Sequence, residues 1–159
     1  MMPKPRVCML TVLNPALHAR IFYKEAAALA KAGYEVIVIG QHGNTAHTGD
    51  AANPRVEPIK PFGRKSWRRL AAPIQIIVKA IRLKPQVIHL HAPDLLLYVP
   101  LLRLFTKAKL VYDMHEDYAA NLNAGVGWPW PLNSLLAWSV RSIEKLMKPA
   151  LSAVIYAED

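Results

Sequence analysis

The stretch EVIVIG, Glu35 to Gly40, places four consecutive branched aliphatic side chains between a glutamate and a glycine. A strand with one wet face alternates apolar and polar residues. A run that is apolar at every position belongs to a strand covered on both faces, as in a parallel sheet. Upstream, Arg6 to Val12 reads as another strand. Between the two, Asn14 suits a helix N-cap and Pro15 the first helical position. Phe22, Ala26, Leu29 and Gly33 then follow at helical spacing, with Arg20, Lys24 and Lys31 opposite. Gly33 suits the C-terminal cap of that helix.

The same alternation continues downstream. QHGNTAHTGDAANP reads as a surface loop, and Arg55 to Lys60 as a weak strand that Pro58 assigns to an edge. Ser66 is expected to cap a helix running to about Leu83, with Leu70, Ile74, Ile77, Val78 and Ile81 as its buried stripe. Gln86 to His91 forms a strand, and Pro93 opens a helix that Pro100 kinks or splits. Lys109 to Asp113 forms the next strand. After a loop through GVGWPWP, a helix from about Leu132 to Lys148 carries Leu132, Leu136, Ile143 and Met147 on one side, and Pro149 ends it. Ala153 to Ala157 forms a last strand. Strands and helices in alternation, joined by short links, predict an α/β fold. It is a doubly wound, mostly parallel, Rossmann-like sheet in three layers, and residues 1–159 form one domain. Ligands of such sheets bind beyond the carboxyl ends of the strands. Asn14, His91, Asp94, Asp113, His115, Glu116 and Glu158 all fall at or beyond those ends.

The formal charge of +9 favours polyanionic partners. The single cysteine, Cys8, sits in an apolar run, which excludes an intrachain disulfide and fits a reducing cytoplasm. Lys4 and Arg6 before VCMLTVL imitate a signal peptide only faintly, because Asn14-Pro15 interrupts the pattern. No apolar run approaches the ~18 residues that a spanning helix needs. The run KPFGRKSWRR interleaves aromatic and basic residues. Arg64, Lys65, Trp67, Arg68, Arg69, Lys79 and Arg82 are expected to touch an anionic membrane surface. No nucleic-acid motif accompanies them, and no nucleic-acid partner is expected.

VYDMHEDY, Val111 to Tyr118, begins as a strand and then releases Asp113, His115, Glu116 and Asp117 within five residues. Such groups orient a hydroxyl or accept a proton. His89 and His91, two apart, share one face of their strand, with His89 deeper and read as a satisfied buried histidine. His91, Asp94, His115 and Glu116 match no compact metal-ligand spacing, and no metal is expected. Neither GxGxxG nor GxxxxGK[ST] occurs, and the turn LNPALHAR lacks glycine, against a dinucleotide-binding dehydrogenase.

HARIFYKEAAALAKAGYEVIVIG, LKPQVIHLHAPDLL and KLVYDMHEDY, in this order and spacing, resemble the N-terminal domain of GT-B retaining glycosyltransferases of the family 4-like group. The resemblance runs from Arg6 to Ala157. It implies half of a two-domain enzyme with a cleft between Rossmann-like halves. The N-terminal half binds a glycan or lipid-linked acceptor. A C-terminal domain, outside this sequence, holds a nucleotide-diphosphate sugar, and no further cofactor is expected. By the resemblance His115 contacts the donor sugar and Glu116 helps orient it, as the catalytic residues. Asn14 and Arg20 line the phosphate side, His91 and Asp94 meet acceptor hydroxyls, and Asp113 and Asp117 complete the substrate contacts. Two departures stand out. The Gly-rich turn that many relatives place after the first strand is missing, and Ala92 follows HLH where close relatives often carry an acid. A single half lacks the donor site, so the expectation is a chain inactive alone and peripheral on the inner membrane face. The alternatives are a nucleotide-sugar epimerase of the same fold, a non-enzymatic module that binds anionic membranes or a partner, and a metal-dependent hydrolase.

Overall fold

A computed structural model of the chain describes residues 4–42, 54–63, 66–114, 120 and 131–156. Its strands are β1 (Arg6–Pro15), β2 (Glu35–Gln41), β3 (Arg55–Ile59), β4 (Val87–Leu90), β5 (Lys109–Met114) and β6 (Ala153–Tyr156). They form one sheet in the order β3-β2-β1-β4-β5-β6, and every neighbouring pair is parallel. The helices are α1 (Ala27–Lys31), α2 (Arg68–Leu83), α3 (Val99–Phe105) and α4 (Leu132–Met147). A π-helical segment, Ala19–Ala26, runs directly into α1, and a 3-10 segment, Pro93–Tyr98, into α3. The chain starts at the sheet centre, winds outward to β3, and returns to wind the other way. The reversal falls between β1 and β4.

The reading of EVIVIG follows from this layout. Val36 and Val38 enter one core with Val7, Met9, Ile21, Phe22 and Ala26. Ile37 and Ile39 enter the other, with Leu10, Leu90, Leu96, Leu102 and Tyr112. Burying such side chains on both faces supplies ~1.5–3 kcal/mol for each one fully covered, and that burial drives the fold. The residues that resemble a signal peptide, Val7 to Val12, form the buried centre of β1. Cys8 lies among them, and burial pushes its thiol up from 9.0 to about 12.

Local signals explain several boundaries. Gly33 has φ +94°. The Tyr34 amide donates to the Leu29 carbonyl and the Gly33 amide to that of Ala30, which is the Schellman closure of α1. Pro58 lies on β3, which among the described residues pairs with β2 alone. Pro100 is the second residue of α3, so the split occurs one residue before it. Arg103 donates to the Ala150 carbonyl (2.7 Å), the Ala108 carbonyl (3.3 Å) and Ser152 Oγ (3.3 Å), joining α3 to the segment that feeds β6.

Three expectations are corrected. Asn14 and Pro15 do not start a helix: β1 stays extended through Pro15, and His18 precedes the first helical residue. Two contacts with β2 hold it there. The Ala16 amide donates to the Gln41 carbonyl (2.7 Å), and Gln41 Nε2 to the Val12 carbonyl (2.8 Å). Ser66 accepts from the Arg68 amide at 3.3 Å, but α2 begins after Trp67. The buried stripe of α2 is Ala72, Pro73, Ile76, Ile77 and Ala80, not the one expected. Of the expected five, Ile77 is buried and Ile81 packs against the core, whereas Leu70, Ile74 and Val78 are exposed. Small residues inward let the helix lie close over β1, β2 and β3.

Candidate functional site

The strands present their ends in register. His89 pairs with Val111 and Leu90 with Tyr112, so the next residues, His91 and Asp113, emerge side by side on one face. The His91 amide donates to the Leu10 carbonyl of β1, which fixes His91 at the crevice where the winding reverses. The π-helical segment packs over the same face and contributes Arg20 and Glu25. In an α-helix residues five apart stand about 140° apart around the axis. The wider π winding, with its i→i+5 bonds, brings them onto one face. Arg20 Nε accordingly meets Glu25 Oε1 at 2.8 Å.

The four side chains close a ring. Arg20 Nη2 lies 3.4 Å from Asp113 Oδ1, His91 Nδ1 lies 3.3 Å from Asp113 Oδ2, and His91 Nε2 lies 3.8 Å from Glu25 Oε2. His89 stacks on His91 with ring centroids 4.1 Å apart and planes tilted by 45°. His91 and Asp113 are each 1% exposed. A carboxylate that deep is costly unless paired, and Arg20 supplies its counter-charge. Both nitrogens of His91 face carboxylates. A neutral imidazole donates to only one of them and an imidazolium to both.

Donor atoms of Glu25, His89, His91 and Asp113 lie within 4.8 Å of one another, a ligand set that suits a divalent cation. Arg20 already gives both carboxylates a positive partner, and a cation entering would have to displace it.

The expected site residues divide three ways. Arg20, His91 and Asp113 are brought together, and Asn14 lies one residue before the end of β1, its carbonyl accepting from Thr11 Oγ1 at 3.2 Å. Asp94 turns to the helical layer, where it pairs with Arg69 at 3.6 Å. His115, Glu116 and Asp117 lie outside the described residues, as do Arg64 and Lys65. Trp67, Arg68, Arg69, Lys79 and Arg82 all lie on or beside α2, with Lys79 paired to Glu57 at 3.4 Å. Sequence reasoning missed Glu25 and read His89 as a satisfied buried histidine; it is buried, and its ring lies against that of His91. The single available signal was the pair of histidines two apart.

The family model for glycosyltransferase family 4 matches residues 18–156. The chain belongs to this family. Among solved structures, the family 4 domain is similar to sucrose-phosphate synthase from Thermosynechococcus elongatus. The TM-score is 0.66 at 16% identity, over 95% of this chain and 42% of that one. It is also similar to a nucleoside-diphosphate-sugar epimerase from Agrobacterium tumefaciens, with TM-score 0.54 and 11% identity over 94% of this chain and 51% of that one. At such identities the likeness is one of fold, and the chain spans about half or less of either structure. No curated protein matches it in sequence. Among the described residues no helix is long and apolar enough to cross a membrane.

Proposed function

We propose that this domain is the acceptor-side half of a retaining glycosyltransferase. It would work with a second, donor-holding domain to move a sugar from a nucleotide-diphosphate sugar to a hydroxyl of a glycan or lipid-linked acceptor. Without that second wall the chain would be inactive. A lipid-linked acceptor would place the enzyme on the inner face of the membrane. The supporting observation is the convergence of Arg20, His91 and Asp113 at the crevice between β1 and β4. Such crevices receive ligands in doubly wound sheets.

In this reading the ring is a rigid floor. Arg20, 39% exposed along its side chain, stands nearest the donor phosphates and steadies the charge of the leaving diphosphate. Asp113 holds Arg20 and His91 in place. Asn14 lines the phosphate side with Arg20, and His91 and Asp94 meet acceptor hydroxyls, Asp94 from the helical side. His115, directly after the end of β5, contacts the donor sugar, with Glu116 and Asp117 orienting it. Holding both sugars in line is the main contribution such a site makes. No metal or further cofactor takes part.

The test uses the intact two-domain enzyme with a panel of nucleotide-diphosphate sugars and acceptor-containing membrane extract. Acceptor-dependent release of nucleoside diphosphate is expected. Arg20→Gln and His91→Asn should each lower kcat/KM by about 10²-fold, the usual scale for losing a positioned polar group. Unchanged kcat/KM in both variants would refute the assigned site. Acceptor-independent interconversion of sugar epimers would replace transfer by epimerisation, with the same rim groups moving protons.

A further inference from the structure

The outward side of α2 is built unlike a water-facing helix. Leu70 is 79% exposed, Trp67 75%, Ile74 52% and Val78 38%. At about 100° per residue these four fall within roughly 80° of arc. A contiguous apolar stripe of this kind on a protein surface marks a contact. The neighbouring α3 segment, which packs against α2, exposes Leu104 and Phe105 as well.

The charge beside the stripe has one sign. The sequence of α2, RRLAAPIQIIVKAIRL, holds four cations and no acid. Arg69 and Lys79 are tied to Asp94 and Glu57. Among the described residues Arg68 and Arg82 make no ion pair; the helical winding puts Arg82 about 40° from the stripe's edge, and Arg68 follows Trp67 at its N-terminal end. At α2's N-terminal end a cleft lined by Lys60, Phe62, Trp67 and Arg68 opens beyond the carboxyl end of β3. The surface therefore reaches the same edge of the sheet as the Arg20–His91–Asp113 ring.

We propose that this face of α2 docks the domain on an anionic lipid bilayer. Trp67, Leu70, Ile74 and Val78 enter the boundary between headgroups and acyl chains, and Arg68 and Arg82 engage lipid phosphates. Only such a surface satisfies both halves of the face. A nucleic acid would meet the arginines but leave the aliphatic stripe without a partner. A second copy of the chain would set cation against cation across a two-fold axis. At ~1.5 Å per residue, α2 is about 24 Å long and lies flat in the interface rather than crossing it. The proposal goes beyond the sugar-transfer reading and does not depend on it.

Vesicle flotation tests it directly, with phosphatidylcholine alone and with phosphatidylcholine mixed with phosphatidylglycerol. The protein should float with the mixed vesicles and not with the neutral ones. Leu70→Ser combined with Ile74→Ser should lower partitioning by about tenfold or more, since apolar insertion sets the strength of interfacial binding. Arg68→Gln combined with Arg82→Gln should remove the preference for phosphatidylglycerol. All four side chains point away from the core, so unfolding midpoints in urea should match the unaltered protein. Failure of the unaltered protein to float, or equal flotation of the Leu70/Ile74 variant, overturns the proposal. Concentration-dependent dimers abolished by the Leu70/Ile74 variant, without flotation, would overturn it in favour of a protein interface.

Discussion

Replacing Gly40 with alanine tests how tightly β1 and its following turn are held against β2. A Cβ at Gly40 would stand 2.5 Å from Thr11 Cγ2, 3.3 Å from the Thr11 carbonyl oxygen and 3.4 Å from Ala16 Cα. Carbon atoms in ordinary contact stand ~3.5–4.0 Å apart, so the first contact is about 1 Å too close. Overpacking of this kind costs about 1–3 kcal/mol. Alanine recovers ~0.5–1 kcal/mol of the backbone entropy that glycine loses in a strand. The net expectation is a loss of about 1–2 kcal/mol. At ~2–4 °C per kcal/mol for a chain of this length, Tm falls by about 2–8 °C. Thr11→Ser removes the clashing methyl and keeps the hydroxyl that donates to the Asn14 carbonyl. Alone it costs about 1 kcal/mol, for one buried methyl. Together the two changes should cost about 1 kcal/mol less than their sum, read from urea unfolding of the four proteins. Gly40→Ala as stable as the unaltered protein, or single effects that add to within ~0.5 kcal/mol, would refute the close approach.

Two further outcomes follow from the buried thiol and the Arg103 clamp. Cys8 should react with a thiol reagent at pH 8 only on the timescale of unfolding, which iodoacetamide labelling followed by mass spectrometry reads. Its raised pKa favours the neutral thiol in the folded state, so this contribution is complete below pH 9.0 and is lost as pH rises toward about 12. Relative to Cys8→Ala, the protein should therefore lose about 2 kcal/mol between pH 8 and pH ~10.5, at 1.36 kcal/mol per pH unit beyond 9. An unchanged difference would refute the burial of the thiol. Arg103→Ala should lower stability by about 1–3 kcal/mol, because three acceptors lose a charged donor. Arg103→Lys should recover little, since a single ammonium cannot span the fork. A midpoint unmoved by Arg103→Ala would contradict the clamp.

The features legible in the sequence share a cause. EVIVIG, Gly33, Pro58 and Pro100 each act through their own backbone or nearest neighbours, so their meaning survives without knowledge of the fold. The errors lie where tertiary contact chose between local options. In α2 two apolar stripes compete, one of leucine, isoleucine and valine and one of alanine, proline and isoleucine. Nothing in helical periodicity says that the smaller set faces the sheet. Pro15 looked like a helix start because its fixed φ suits one, but Gln41, 26 residues downstream, holds it extended. Glu25 was invisible because its partner Arg20 is five residues away, a spacing that ordinary helical arithmetic separates. His91 and Asp113 were readable as members of one rim, because strand ends converge whatever the side chains are, whereas Arg20 was tied to the site only through the family resemblance. The ion pairs among them were not readable.

The π-helical segment Ala19–Ala26 also bears on how this family 4 domain can vary. Loss of one codon inside it would tighten the winding to the usual α form and turn every side chain before the lesion by about 100°. Arg20 would swing off Asp113, and a different residue of the same segment would come to face it. A single deletion can thus exchange the cation beneath the rim while leaving α1 and β2 untouched, and the segment is a natural place for lineages to rewire this pocket.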